Sequence, residues 1–258
     1  MRISVIFISA LLMSVMCPLA DAREITISTG GWPPYLTQGQ AHNGFIGHLI
    51  GDIFAEAGVT VHFIYRPWAR IYQETAEGVY DATAVWMDAP ERHGDFHYSQ
   101  PVLDETFVFF YLQENGFDWQ DFIDLKGKKL GGDLGYSYGP GFDAALESGI
   151  FQMERLHDAA LNFRKLLHGR IALYPQEKSV GYFTLRQTLP AQETAKITHH
   201  PKPLLVNQSF VMFPREKESS RELLSIFNRG LAEFKKDGRY QAYFEAFSRG
   251  EYSLKLNE

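Results

Sequence analysis

Residues 45–65 read FIGHLIGDIFAEAGVTVHFIY and combine two different hydrophobic periods. In the first half, apolar residues recur at helical spacing up to Gly58, a residue suited to end a helix. The second half, Val59–Tyr65, is rich in β-branched and aromatic residues, which is typical of a strand. The stretch therefore predicts a helix that leads directly into a strand.

The same alternation extends outward from this stretch. Residues 24–28 alternate apolar and polar side chains and precede a glycine- and proline-rich turn at 30–35, which predicts a strand. Downstream, the pattern predicts a helix over 68–77 and a strand over 80–86. Strands that alternate with amphipathic helices favour an α/β fold with mostly parallel sheets.

A second series of elements opens at Asp121, after a polar break. The predicted elements are strand 128–131, helix 142–148, helix 159–168, strand 171–174 and helix 180–187. The chain ends in a long helical region, in which Ser219 or Ser220 caps a helix that stops at Gly238. Two further runs, 106–112 and 208–213, are dense in aromatic and β-branched residues and predict buried strands.

The N-terminus has the order of a secretory signal peptide. A basic start is followed by the apolar run 3–16 and the triplet Ala20-Asp21-Ala22, which predicts cleavage near Ala22 and export to the periplasm. The apolar run is shorter than the roughly 18 to 20 residues that span a bilayer. Cys17 is the only cysteine, so the mature chain would have no disulfide and no thiol chemistry.

Composition narrows the function classes further. The chain is 45% hydrophobic and 14% aromatic, enough to bury a core in one large or two smaller domains. The net charge is -6 and the basic residues are dispersed, so the sequence predicts no nucleic-acid partner.

Short motifs along the chain are more specific when they are taken together. They are WPPY at 32–35, GFIGHL at 44–49, Trp68 with GVYDA at 78–82, ER at 91–92, FHYSQP at 96–101, DLKGKKLG at 124–131, NRGL at 228–231 and KDGRY at 236–240. In order and spacing the chain resembles the family 3 bacterial extracellular solute-binding proteins, a group that includes the amino-acid receptors of ABC transporters.

The resemblance implies a two-lobed α/β periplasmic-binding-protein fold of type II, with a ligand cleft between lobes joined by two crossing strands. Lobe 1 would comprise residues 23–112 and 210–258, lobe 2 residues 113–209, and the crossing strands 107–112 and 208–213. It also implies a monomer that captures a small polar, carboxylate-bearing solute for an ABC permease, without a cofactor and without catalysis.

The resemblance places the ligand carboxylate on Arg92. A guanidinium is always charged and presents a planar fork that suits a carboxylate. The alternative is a surface arginine paired with Glu91 or Asp95. Just before it, the small hydroxyl residues of relatives are replaced by bulkier side chains, including Trp86 and Met87. This departure puts a standard amino-acid ligand in doubt.

Lobe 2 is expected to contribute a loop and an acid. In Gly135–Gly139, the resemblance implies that Ser137 supplies a hydroxyl and that Tyr136 or Tyr138 forms a wall. The acid that receives the ligand's ammonium in relatives falls on Glu177 by counting from Gly169-Arg170. A solvated glutamate at a helix start is an equal alternative.

Three aromatic residues are further candidates for the cleft. Tyr35, after the double proline, matches an aromatic that covers the ligand in relatives, and Trp68 and Trp86 could complete an aromatic box. For each of them, ordinary core packing is the competing interpretation.

Other functions leave weaker traces. Gly135-x-Ser137-x-Gly139, with Asp158 and either His168 or His199 downstream, fits a hydrolase pattern, but the strand before the serine is polar and Pro140 follows.

A periplasmic dehydratase on the same fold would need an acid or base such as Glu177, His93 or His97. A receptor for a membrane sensor would use the same cleft. His93 and His97 lie in a predicted loop, and we predict no metal site.

Overall fold

The computed structural model describes residues 23–252, so the predicted signal peptide lies outside the described residues. The strands are β1 (Arg23–Thr29), β2 (Val59–Tyr65), β3 (Ala82–Met87), β4 (Phe96–Tyr98), β5 (Leu103–Leu112), β6 (Lys129–Asp133), β7 (Gln152–Leu156), β8 (Tyr174–Glu177), β9 (Ile197–His199) and β10 (Leu205–Pro214). The α-helices are α1 (Phe45–Glu56), α2 (Trp68–Ala76), α3 (Pro140–Glu147), α4 (Ala159–Leu167), α5 (Lys178–Thr188), α6 (Ala191–Thr194), α7 (Ser220–Lys236) and α8 (Arg239–Ser248).

The helix and strand predicted for residues 45–65 are confirmed. Helix α1 buries the apolar face that the spacing predicts and ends at Glu56, with Ala57 as its C-cap, and Gly58 follows with a φ of 72°. Only glycine adopts this left-handed conformation without a steric penalty. Strand β2 then pairs in parallel with β1 over its whole length.

The main sheet is mixed, so the prediction of mostly parallel sheets is wrong for it. Strands β2, β1 and β3 are parallel, but β10 runs antiparallel to β3, and β5 runs antiparallel to β10 and β8. The chain leaves the first group of strands through β5 and returns through β10, and two such strands must run in opposite directions. A separate pair, β6 with β7, is parallel.

The two long strands β5 and β10 pair with each other over a short middle segment. We call this segment the crossing ladder; it pairs Leu103–Phe107 with Leu205–Ser209. Beyond the ladder, β10 pairs with β3 and β4, whereas β5 pairs with β8 and β9. The strands thus connect two groups of elements, while the residue boundaries assigned to the two lobes stay a prediction.

Separate hydrophobic cores lie on the two sides of the ladder. Leu103 belongs to the core built from β1, α1 and α7, whereas Phe107 belongs to a core with Phe142 and Phe151. A third core surrounds Phe110 and Phe163. Apolar side chains a few residues apart on β5 therefore stabilise different parts of the molecule.

Short elements account for most of the differences between the predicted and the observed secondary structure. Strands β4, β7 and β9 were not predicted, and β8 begins at Tyr174, where the predicted strand 171–174 ends. Ser219 precedes α7 without a side-chain capping bond, and Gly238, with a φ of 87°, separates α7 from α8. Among residues 23–252, no helix has the length and apolar character needed to span a membrane.

Candidate functional site

A cavity of about 380 Å³ opens beside the crossing ladder. Its volume lies within the range of about 300 to 1,000 Å³ that is usual for small-molecule sites. The cavity is lined by Trp32, Trp68, Val85, Trp86, Met87, Arg92, Glu105, Phe107, Leu134, Gly135, Tyr136, Ser137 and Ser209. These residues come from both sides of the ladder and from the ladder itself, as a cleft between two lobes requires.

Arg92 lines this cavity at the end of a short 3-10 turn, Pro90–Arg92. Its Nη1 donates to the carbonyl oxygen of Met87 at 2.9 Å, and its guanidinium carbon lies 4.9 Å from the centre of the Trp86 ring. Within the described residues, no carboxylate lies within 4 Å of it as an ion-pair partner. The guanidinium is therefore held in place and keeps its charge available to the cavity.

Two tryptophans form a fixed wall. The Trp68 and Trp86 rings meet edge to face with their centres 4.9 Å apart, and Trp86 Nε1 donates to Thr83 Oγ1 at 2.8 Å. A Cβ atom on Gly30 would lie 2.1 Å from Trp68 Cε2, so the indole lies directly against the Gly30 backbone. The absence of a side chain at Gly30 allows this position of the wall.

Tyr35, predicted to cover the ligand, does not line the cavity. It is 1% exposed and packs between Trp32 and Phe45, with ring centres 4.7 and 5.1 Å away. Burial, followed by the nearby Glu177 carboxylate, raises its pKa well above the ordinary value. The residue that lines the cavity at this corner is Trp32, which sequence reasoning did not select.

The loop after β6 contributes Tyr136 and Ser137 to the lining of the cavity, and their predicted roles as a wall and a hydroxyl stay a prediction. Ser137 Oγ donates to Asp143 Oδ2 at 2.5 Å, at the start of α3. From β7, Arg155 Nη1 donates to the carbonyl oxygens of Asp133 and Tyr136, at 2.8 and 2.7 Å. The loop is thus tied to the strands behind it.

Tyr138, the alternative wall residue, points the other way. It is 1% exposed and its hydroxyl accepts the backbone N–H of Asp133 at 2.7 Å. Its ring packs against Phe142, with the ring centres 5.3 Å apart. Tyr136 and Tyr138 are thus two residues apart in one turn, but Tyr136 lines the cavity whereas Tyr138 stabilises the core.

Glu177, the predicted ammonium-binding acid, does not line the cavity either. Its carboxylate caps α5 by accepting the backbone N–H of Val180 at 2.9 Å. The residue does start a helix, as the alternative interpretation held, but it is 2% exposed and therefore not solvated. Burial raises the pKa of this carboxyl, and hydrogen bonds from Val180 and Tyr35 lower it.

The acid that does line the cavity is Glu105, which sequence reasoning missed. It lies in the crossing ladder, is 1% exposed, and accepts a hydrogen bond from the Ser209 hydroxyl across the strands. Burial raises the pKa of this carboxyl to about 7; the Ser209 bond lowers it and the nearby Glu177 raises it. The signal was in the strand period, since Glu105 shares one face of β5 with the buried Leu103 and Phe107.

The groups of the alternative hydrolase pattern are engaged elsewhere. His168 Nδ1 lies 2.7 Å from the Arg164 carbonyl oxygen, and His199 Nδ1 lies 2.6 Å from the Tyr182 hydroxyl. Asp158 accepts the backbone N–H of Ala160 as the cap of α4. The serine hydroxyl bonds to Asp143 instead, so the pattern does not assemble a triad.

Of His93 and His97, for which we predict no metal site, His93 has a carboxylate neighbour. His93 Nε2 lies 2.6 Å from Asp88 Oδ1, and both side chains are exposed. Across residues 23–252, no group of three or more His, Cys, Asp or Glu side chains is arranged to hold a metal ion.

The fold and the cleft can now be compared with known proteins. The model of the bacterial extracellular solute-binding proteins, family 3, matches residues 25–249, which is most of the chain. The chain is a family 3 solute-binding protein. Members of this family are binding proteins, and the cavity lined from both sides of the crossing ladder gives this solute-binding protein room for a ligand.

Solved structures share the fold of this solute-binding protein at low sequence identity. An ancestral arginine-binding protein bound to arginine is 20% identical, with 86% of this chain and 96% of that chain covered at a TM-score of 0.68. Substrate-binding domain 2 of Lactococcus lactis GlnP is 19% identical, with 87% and 95% covered at 0.66. A histidine kinase sensor domain similar to periplasmic binding proteins is 18% identical, with 90% and 96% covered at 0.67. Curated proteins give no significant match.

Proposed function

We propose that this solute-binding protein captures a small carboxylate-bearing solute in the periplasm and delivers it to an ABC-type importer. The observation that carries the proposal is Arg92, a guanidinium that lines the cavity and has no acidic partner among the described side chains. A buried or half-buried cation of this kind gains most from a ligand that brings its own negative charge.

The cleft also favours closure over the ligand. Residues from both sides of the crossing ladder line one cavity, so a molecule in it would contact both groups of elements. A ligand stabilises a closed form when it binds that form more tightly than the open one. The importer is the partner expected for such a receptor, since a structure with the same fold is described as the second substrate-binding domain of a putative amino acid ABC transporter from Streptococcus pneumoniae.

The proposal is tested by titrating the mature chain with a library of small carboxylates and repeating each positive titration with Arg92→Ala. We expect thermal stabilisation by binders, about 2.7 kcal/mol at 100 times the dissociation constant. Loss of one partner of a desolvated charge pair should weaken binding roughly 100-fold. Arg229→Ala is the matched control, because Arg229 is exposed on α7 and bonds only to Ser225 among the described residues. Equal affinity for Arg92→Ala and the wild type would refute the assignment.

Delivery to an importer needs a separate measurement. Cells that lack this chain should lose uptake of the labelled ligand and regain it when the chain is restored. Normal uptake in its absence, with loss of a transcriptional response to the ligand, would favour the receptor of a membrane sensor instead.

One observation favours an enzymatic alternative strongly enough to test it. A carboxyl whose pKa is about 7, as burial makes that of Glu105, is suited to general acid or base catalysis. Prolonged incubation of a bound carboxylate followed by mass spectrometry should return it unchanged if the chain is a receptor. A product that differs by the loss of water would identify a dehydratase.

A further inference from the structure

Glu105 is the one acidic residue among those that line the cavity. It projects from the crossing ladder on the same face as Phe107, and Ser209 donates to it from the diagonal position on β10. Its carboxylate has capacity for further donors, because a carboxylate offers about four acceptor positions. Glu105 lines the cavity, and no basic side chain in the described part of the chain forms an ion pair with it.

The charged and titratable groups around Glu105 do not neutralise it. The groups from neighbouring elements that interact with its charge are Glu177 at the start of α5, Tyr35 after β1 and Tyr136 after β6, while Arg92 lines the same cavity. The charge that acts on Glu105 is thus a second carboxylate, and no ion pair joins Glu105 to Arg92 within 4 Å. The cavity offers one negative and one positive group that do not satisfy each other.

Aromatic rings line the space that these two groups share. Three are indoles and two are a phenyl and a phenol ring, listed here as Trp32, Trp68, Trp86, Phe107 and Tyr136. Aromatic faces gain most from large apolar or aromatic groups packed against them. A ligand that carries opposite charges and an aromatic body would match all three features.

We propose that Glu105 binds the ammonium group of an aromatic amino acid or a close derivative, whose carboxylate contacts Arg92 and whose ring lies among the indoles. This rests on the proposed function, because it keeps the carboxylate on Arg92. It reassigns the ammonium from Glu177, whose oxygens are committed to α5, to an acid in the strand that connects the two sides of the cleft.

The assignment has a consequence for the proton. The ammonium stabilises the ionised form of Glu105, so binding to the protonated carboxyl releases one proton to the buffer. Affinity should therefore be constant above about pH 7 and fall as the pH decreases below the pKa of about 7 that burial gives the unliganded carboxyl. Below that pKa the limiting slope is about tenfold per pH unit, while the ligand keeps both of its charges down to about pH 5.

The experiment is calorimetric titration with L-phenylalanine, 3-phenylpropanoate and phenethylamine, which differ only in the charged groups present. The wild type should bind L-phenylalanine at least tenfold more tightly than 3-phenylpropanoate. Glu105→Gln should remove this preference and the pH dependence of the affinity below pH 7. We expect this variant to fold, because glutamine keeps the shape of the side chain without the buried charge. Asp104→Asn is the matched control on the neighbouring, exposed position, where the side chain bonds to Gln208.

The outcomes separate the two proposals. Equal wild-type affinity for L-phenylalanine and 3-phenylpropanoate, or an unchanged preference in Glu105→Gln, overturns the role of Glu105. If both carboxylates still depend on Arg92, the proposed function stands in that case. Failure of both aromatic carboxylates to bind, with binding of a non-aromatic carboxylate that requires Arg92, overturns the aromatic ligand class alone.

Discussion

Asp133 and Glu105 are two of the three buried carboxyl groups among the described residues, the third being Glu177, and their surroundings differ. Asp133, on β6, accepts hydrogen bonds from the Tyr174 hydroxyl at 2.8 and 2.9 Å, from Gln176 at 2.7 Å and from Asn162 at 3.4 Å. Glu105, on β5, accepts one side-chain bond, from Ser209, and lines the cavity. Burial raises the pKa of both carboxyls.

The difference shows how two buried acids can have opposite roles. The partners of Asp133 satisfy its oxygens, so this acid joins β6, β8 and α4 into one unit. Glu105 has lost water without gaining an equivalent set of donors, which makes it costly in the unliganded protein. A buried acid of this second kind is better explained by a ligand than by stability.

The comparison is tested most severely by Asp133→Ala. Tyr174, Gln176 and Asn162 would lose their common acceptor inside the protein, and we expect a loss of roughly 4 kcal/mol in the free energy of unfolding. Urea unfolding at pH 7 measures it. Asp158→Ala removes an exposed helix cap and should cost only about 1 kcal/mol. A loss for Asp133→Ala that is no larger than this control would contradict the structural role.

The second prediction concerns Glu105→Gln in the absence of ligand. The native pKa of the carboxyl is raised from 4.5 to about 7, so the native state holds a proton that the unfolded state releases. Its contribution to stability is fully present below pH 4.5 and is lost as the pH rises through 7. Above pH 7 the wild type should be less stable than Glu105→Gln by up to about 3 kcal/mol, and the two should converge near pH 4.

Urea unfolding at pH 8 and at pH 4.5 measures this second effect. A wild type that is as stable as Glu105→Gln at both pH values would show that the carboxyl titrates normally, and the contrast with Asp133 would then disappear.

The smallest expected effect is that of Gly30→Ala, which changes the wall of the cavity and leaves Asp133 and Glu105 in place. Gly30→Ala places a Cβ where the Trp68 indole now lies, so the wall must shift while both buried acids remain. We expect roughly tenfold weaker ligand binding, equivalent to about 1.4 kcal/mol, with little change in urea stability. Gly51→Ala is the control, since a Cβ there meets no atom within 4 Å and helix α1 should gain up to about 1 kcal/mol. Unchanged affinity in Gly30→Ala would show that the position of Trp68 does not matter for the ligand.

Much of the fold could be predicted because hydrophobic period encodes it locally. The period of residues 45–65 contained both α1 and β2, including the glycine that ends the helix. The direction of β10 was not encoded locally, because it depends on which strands β10 pairs with after the long segment between β5 and β10. Strands of three residues, such as β4 and β9, are too short to show a period at all.

Part of the cavity lining could be predicted from the family resemblance, which selected Arg92 and the tryptophans at 68 and 86. Their contact with a ligand stays a prediction. Tyr136 and Tyr138 could not be told apart, because the turn between them decides which ring reaches the core. Glu105 was not predicted because the aromatic run that indicates the strand begins at residue 106, whereas β5 begins at Leu103. The period of two, extended back to Leu103, places Glu105 on the buried face.

Arg155 reaches from β7 to two carbonyl oxygens of the loop that bears Tyr136, and holds that loop from behind. This part of the wall is consequently already ordered before a solute arrives. Capture then requires little loss of conformational entropy on that side, which favours tight binding from modest contact area. The rate of association should accordingly be set by diffusion and by closing of the cleft, with no slow step of loop ordering.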